Sequence, residues 1–493
     1  MSHLSGFGLE NFRVFKDFTW FDFAPITLFV GPNNSGKSSV IKALLLLKDN
    51  WIKQNIPYSE GDIVANHFKP ILSFAGIDHN LRSAKDIKNR IIVNGEISFV
   101  LPYDLIEYNQ ERLVSLFNSN LYLHISYKYL AKSEDDYLKP VSVINLFSDE
   151  GSILSYQPFN NILEFNVGEF ERISKKKCEF YEEFQRVFPE STPEIYNNLI
   201  DALDSFKTKK DVIKYPYYNN LKGEVAPDVS EIINILLEYA EIPNHREVSE
   251  TINKILKIND LSPAFKAISN IAYIPSFKNP PKRYFNTTDS DVINKIISEI
   301  LVDDNLNGEQ SFSDKWSTEF QLSGPIRWKI DRETGIVHLK VGDDYLSNLG
   351  VGASQIVALL LANYSTELYK DERLIILEEP ETNLHPAFQS KLADMFVDAY
   401  NAFRRQFIIE THSEYLIRKL QYLIAKGEAK PEDVVIYYFH DPNNIPPGEK
   451  QVKKITILED GSLSDEFGPG FFDEAANWEL ELLKLKKNKN RQN

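Results

Sequence analysis

Gly31-Pro32-Asn33-Asn34-Ser35-Gly36-Lys37-Ser38 fits the pattern G-x-x-x-x-G-K-[ST], with Ser39 directly after it. In such a loop successive backbone N–H groups wrap phosphate oxygens, and a helix starting on it adds the positive end of its dipole. Lys37 would neutralise β- and γ-phosphates, and the Ser38 hydroxyl would reach a Mg²⁺ ion. The context agrees. Ile26–Val30 is a short apolar run rich in β-branched residues, and 38–48 reads as an apolar helix.

Three further stretches end or begin where chemistry is done. Leu374-Ile375-Ile376-Leu377 runs into Glu378-Glu379-Pro380-Glu381. A buried strand of this kind delivers its acids to the carboxyl edge of a parallel sheet, where such folds bind ligands. Glu378 would reach Mg²⁺ through a water, and Glu379 would polarise an attacking water. By itself the stretch reads equally as a solvated acidic turn. Ile408-Ile409-Glu410-Thr411-His412-Ser413 is another apolar run with a polar end, where His412 could donate to a γ-phosphate. A hydrogen-bonded loop histidine is its plainer reading. Leu349-Gly350-Val351-Gly352-Ala353-Ser354-Gln355 opens an apolar helix and makes either a second anion-binding helix start or an ordinary glycine cap.

Elements must bring these together. Residues 12–23 suggest an opening pair of strands. From 51 to 270 the character changes: 89–102, 121–130 and 141–148 read as strands, and 193–206 and 229–240 as helices. No heptad pattern persists, which disfavours a long coiled-coil arm, and there is no internal repeat. Strands return at 271–274 and 335–345. Helix and strand then alternate through 349–440, with β runs at 374–377, 406–409 and 434–439. That alternation predicts an α/β fold with a parallel sheet and covering helices. The expected organisation is one head built from 1–50 and 271–480, split by a strand-plus-helix insertion over 51–270. A basic tail follows over 481–493, with 484–493 expected to fray.

Composition sets the bounds. The chain has 493 residues, 43% hydrophobic and 26% charged, which excludes collagen-like and wholly disordered readings. A single cysteine, Cys178, rules out an intrachain disulfide and a cysteine-based zinc cluster, and fits a reducing compartment. The first residues lack a signal-peptide pattern, and no apolar run approaches a membrane span, so a cytoplasmic protein is expected. The net charge of −16 is the wrong sign for a chain coated in nucleic acid, though a local basic groove stays open.

The order of the four motifs resembles the ABC-type ATPase head of the RecF/SMC/OLD-like class. Its phrase "EEPE-x-x-LHP" stands here as Glu378-Glu379-Pro380-Glu381-Thr382-Asn383-Leu384-His385-Pro386. The resemblance implies ATP and Mg²⁺ as cofactors, with 31–39 as the Walker A loop. Ser38 and Glu378 would serve the metal, with Glu379 as catalytic acid–base and His412 as the switch histidine. Asn383 and Leu384 would lie in the loop that meets the opposite subunit. Arg13, in Asn11-Phe12-Arg13, would contact phosphate. Gly352, Ser354 and Gln355 would close the nucleotide site of a second copy in a head-to-head dimer. Two departures stand out: the L-S-G-G-Q signature becomes Val351-Gly352-Ala353-Ser354-Gln355, and the Mg²⁺-side aspartate is a glutamate.

A finer similarity links Tyr273-Ile274-Pro275-Ser276-Phe277-Lys278 through Lys282-Arg283, and Gly468 through Asp473-Glu474, to stand-alone ATPase subunits of anti-phage systems of the PARIS and Septu type. It implies an ATP-driven sensor or switch controlling a separately encoded nuclease or toxin, with DNA or a phage protein as trigger and no membrane partner. A RecF-like repair ATPase that binds DNA directly is the alternative. A self-contained OLD nuclease is disfavoured, because no D-x-D follows Ser413. The ATPase half of a membrane transporter is disfavoured by the unusual signature and the large insertion.

Overall fold

In the computed structural model the described residues are 3–54, 65–68, 83–87, 94–102, 121–130, 137–148, 151–157, 162–165, 213–214, 267–276, 285–286, 310–331, 336–363, 373–468 and 471–492, with single positions at 72, 74, 81, 89 and 334. The expected helices at 193–206 and 229–240, and the basic residues Lys278, Lys282 and Arg283, lie outside them. By compactness the chain divides into Met1–Asp22 with Ser39–Ser269, and Phe23–Ser38 with Asn270–Asn493.

The first unit is built on strands β1 (Gly6–Glu10) and β2 (Thr19–Asp22); β3 (Ile26–Val30) belongs to the second. Helix α1 (Lys37–Asp49) follows, then an antiparallel pair, β4 (Trp51–Gln54) and β5 (Ala65–Phe68), and the short α2 (Ala84–Ile87). Six strands come next: β6 (Asn94–Pro102), β7 (Leu121–Leu130), β8 (Tyr137–Ser148), β9 (Gly151–Gln157), β10 (Ile162–Phe165) and β11 (Ile213–Lys214). They continue from β1 and β2 as one eight-stranded sheet in the order β11-β10-β9-β8-β7-β6-β1-β2. Phe7, Phe12, Phe99 and Tyr127 pack edge to face or stacked in its buried layer. This explains why the compact units are drawn differently from the expected domains. Leu9 of β1 is in register with Phe99 of β6, so the opening strands share a sheet with the middle of the chain.

The second unit holds a six-stranded sheet. To β3 it adds β12 (Ala272–Ile274), and after β13 (Phe285–Asn286) and α3 (Gln310–Glu319) comes a small antiparallel set, β14 (Ile326–Asp331), β15 (Ile336–Val341) and β16 (Asp344–Tyr345). Then follow α4 (Val351–Ala362), β17 (Leu374–Glu378), α5 (Pro386–Phe403), β18 (Gln406–Glu410), α6 (Glu414–Ala425), β19 (Val434–Phe439), β20 (Val452–Thr456) and α7 (Glu474–Gln492). The order is β12-β17-β18-β3-β19-β20, parallel except for the β19–β20 edge pair.

Burial on both faces accounts for the near-continuous apolar runs of β3, β18 and β19. Helix α6 is amphipathic: Leu416, Ile417, Leu420, Leu423 and Ile424 are buried, each contributing roughly 1.5–3 kcal/mol. Phe312 and Trp316 of α3, followed by Phe320, reach α5 through Phe312–Phe403 and Phe320–Phe388 ring contacts. Aromatic packing flanks the closing Gly468–Glu474 motif, whose Pro469 and Gly470 lie outside the described residues. Phe467, Phe471 and Phe472 stack together, and Phe467 and Phe471 sit against Tyr438 of β19.

The tail expected to fray over 484–493 is helical as far as Gln492, because 474–492 is rich in Leu, Glu and Lys, all good helix formers. No helix among the described residues is long and apolar enough to cross a membrane.

Candidate functional site

The loop of 31–36 is shaped by its backbone. Gly31, Asn34 and Gly36 take φ of 134°, 62° and 116°. A Cβ on Gly31 would collide with the Phe439 carbonyl, so only glycine lets the loop leave β3 this closely against β19. Pro32, Asn33 and Asn34 are exposed at the rim, while Ser35 and Gly36 are buried. Helix α1 starts at Lys37 with no acidic residue in its first turn, which leaves its N-terminal field positive.

Lys37 is 3% exposed, yet its ammonium sits in the loop, donating to the carbonyls of Gly31 at 2.9 Å and Pro32 at 2.8 Å. Its third neighbour is Glu410, at 3.8 Å. Burial lowers the Lys37 pKa, against the raising pull of Glu410 and Glu379. The Ser38 hydroxyl donates to Glu410 Oε2 at 2.7 Å. Glu410 ends β18, buried, and its pKa is pushed up to about 7 by that burial, against the Ser38 bond and the Lys37 charge.

Register explains why this acid reaches the loop. Glu378 of β17 is the Cα partner of Glu410, which in turn pairs with Phe29 of β3. Two acids thus stand abreast at one sheet edge, with Glu410 the nearer to the phosphate loop. Sequence reasoning credited that strand with His412 alone. The signal was present: QFIIE repeats the form of LIILE.

Glu379 follows at φ 47°, a left-handed conformation that costs a glutamate about 1 kcal/mol or more. Besides two bonds from Thr382 in its own turn, three hydrogen bonds with other segments hold it there. Its N–H donates to the Glu410 carbonyl at 2.7 Å, its carbonyl accepts from Gln355 Nε2 at 2.9 Å, and its Oε2 accepts from Ser276 Oγ at 3.1 Å. The carboxylate is thereby aimed by neighbours on three segments. Glu381 is buried, accepts from the His412 N–H at 2.6 Å, and has its pKa raised by burial. His412 itself is exposed between β18 and α6, whose first turn Ser413 caps by accepting from Leu416 N–H. Partial desolvation and the Lys37 ammonium lower the His412 pKa, so at neutral pH the ring is an uncharged donor.

The helix start at 349–355 lands differently from the expectation. Ser354 is fully buried and cannot face a second copy as placed, because α4 is apolar and sunk in the core from Ser354 onward. Gln355 is also buried, and serves Glu379 of its own chain. Gly352 is half-buried, and a Cβ there would stand 2.7 Å from the Asn383 carbonyl. What remains outward is Gly350, exposed, at φ −68° and without a side-chain cap bond. The phrase around His385 is partly structural: its Nδ1 accepts from Ala387 N–H and Pro386 starts α5. Arg13, in the first unit, donates from Nε to Ser39 Oγ at 3.1 Å and from an NH group to the Asp86 carbonyl at 3.1 Å.

These residues suit a Mg²⁺-bound nucleoside triphosphate. A glycine-only cradle, a buried ammonium and a hydroxyl beside carboxylates supply a donor set for phosphate and a hard-oxygen set for the ion.

A family profile described as an AAA ATPase domain matches residues 3–417, and one for a protein family of unknown function, DUF3696, matches 430–483. No curated protein matches. Among solved structures, an Smc head bound to the C-winged helix domain of ScpA is similar at 12% identity, covering 93% of this chain and 98% of that one, with a TM-score of 0.38. The SMC head domain from Thermotoga maritima is similar at 11% identity over 92% and 99%, with a TM-score of 0.35.

Proposed function

The chain belongs to the AAA ATPase domain family, and on that premise we propose that it binds Mg²⁺·ATP on the 31–39 loop and hydrolyses it. One arrangement carries the reading: the buried Lys37 ammonium within the loop, with Ser38 and the sheet-edge acids beside it. Bound Mg²⁺ would offset negative charge on the phosphate oxygens. Loop N–H groups and Lys37 position the phosphates. Glu379, pinned at an angle its backbone does not prefer, orients and polarises the attacking water. His412 offers a neutral N–H to the terminal phosphate. Ser38 and Glu378 serve the metal.

In this reading two heads close on the nucleotide. The exposed, uncapped start of α4 at Gly350 would offer backbone N–H groups to the second copy's site, since Ser354 is turned inward. The assembly would be a cytoplasmic switch of an anti-phage system that controls a nuclease or toxin effector. That finer reading is supported by the Tyr273 and Gly468 stretches alone. Direct DNA binding in RecF-like repair is its rival.

Equilibrium binding of a fluorescent ATP analogue, with and without Mg²⁺, tests the core of the proposal. Absence of binding to the intact chain overturns it. Sedimentation of the chain with ATP tests closure: a monomer that hydrolyses at full rate removes the shared site. Co-purification with the product of an adjacent nuclease or toxin gene supports the switch, whereas tight binding to gapped DNA by the chain alone favours repair.

A further inference from the structure

Three acids stand at the carboxyl edge of the second unit's sheet, and the family pattern uses two of them, Glu378 and Glu379. The third has the closest link to the loop. Glu410 accepts the Ser38 hydroxyl at 2.7 Å and lies 3.8 Å from the Lys37 ammonium. Strand order gives the reason. β18 lies between β3 and β17, so Glu410 starts one strand from the loop while Glu378 starts two strands away. With strands spaced about 4.8 Å apart, that difference is most of a side chain's reach.

Charge balance then says what Glu410 is for. It is buried, and Glu378 and Glu379 both repel it. Lys37 is the cation beside it in this structure. When Lys37 turns to a nucleotide's phosphates, the buried Glu410 carboxyl is left with two like-charged neighbours, and must either hold a proton or gain a new counter-charge. The hydroxyl it holds belongs to the residue expected to meet the metal.

We propose that Glu410 is a third protein anchor of the divalent cation, acting with Ser38 and Glu378 on the metal side of the nucleotide site. This rests on the reading of 31–39 as a Mg²⁺·ATP site. The gain is a metal side built from two glutamates on adjacent strands, which compensates for the absence of the family's short aspartate at position 378.

The test uses the full chain and Mn²⁺ as the probe ion. The affinity of a non-hydrolysable ATP analogue is measured in chelator and again in Mn²⁺, for wild type, Glu410→Gln and Glu410→Asp. Wild type should tighten on adding Mn²⁺. Glu410→Gln should keep its chelator affinity within about threefold, or improve it, and lose about tenfold of the Mn²⁺ gain. Glu410→Asp keeps the charge but draws it back by one methylene, and should lose part of the gain. The aspartate variant also guards against a folding failure in the glutamine one. An undiminished Mn²⁺ gain in either folded variant overturns the proposal, and leaves Glu410 as a carboxyl that only orients Ser38. Wild type that binds no analogue in either buffer overturns the site reading itself, a different pattern of results.

Discussion

Two glycine–serine turns in this chain lead into apolar helices, and from sequence both read as anion-binding helix starts. At 31–39 the fold builds a site around the turn: Lys37 is buried with its ammonium in the loop, Ser38 is hydrogen-bonded, and Glu410 stands behind them. At 349–355 the same ingredients are spent on the chain's own architecture. Ser354 is sunk in the core, Gln355 fastens the Glu379 backbone, and Gly352 makes room for the Asn383 carbonyl. A free helix end is therefore only half of an anion site. The other half is a buried counter-charge, and only the first turn has one.

The contrast is broken most directly at Lys37. Lys37→Ala removes the charge proposed to meet phosphate, worth about 1.5–3 kcal/mol for each charge-assisted bond, and should weaken ATP binding about a hundredfold or more in equilibrium titration. Wild-type affinity in that variant would place the nucleotide elsewhere. Glu379→Gln preserves shape but cannot take up a proton, and should cut turnover about a hundredfold or more with ATP affinity retained. Single-turnover kinetics beside a binding isotherm separate the two effects.

The second turn is probed by its two glycines. Gly352→Ala forces a Cβ against the Asn383 carbonyl, and should cost about 1–3 kcal/mol of stability in a denaturant melt. Gly350→Ala meets nothing within 4 Å and should be neutral to within about 0.5 kcal/mol. A loss of ATP-dependent assembly in the latter, with stability intact, would sharpen the case for a face turned to a second copy. Equal melts for both variants would remove the packing account of Gly352.

The smallest effect is a pH slope. Glu410 has its pKa pushed from 4.5 to about 7, so the folded chain holds an extra proton in that window. Its contribution to the stability of the nucleotide-free protein is present below pH 4.5 and is lost as pH rises through about 7. Glu410→Gln should flatten that part of the stability–pH curve, and a slope identical to wild type would show that the carboxyl is not the group responsible.

Local patterns announced the elements around the site. Apolar runs match β3 and β19 and stop one residue short of the acids that end β17 and β18, and the loop's spacing points to phosphate chemistry. Register across strands was not legible. Nothing in the residues says that β18 lies between β3 and β17, so the acid nearest the loop passed as a strand terminus. The bond from Gln355 to the Glu379 carbonyl is a tertiary fact of the same kind, as is the pairing of β1 with β6 that draws the first strands away from the expected head. The helical tail is legible in its Leu, Glu and Lys content.

The central position of β3 also has a consequence for how the protein is made. Its residues are fully buried between β18 and β19, and Ser38 is 372 residues from its partner Glu410. At ribosomal rates of about 5–20 residues per second, the apolar ITLFV segment waits on the order of 20–70 s for its first neighbouring strand. During that time the phosphate loop has no sheet to stand on and no acid behind its serine. The loop gains its acid only once β18 has been made, so a chain cut short before β18 leaves this apolar strand without its neighbours.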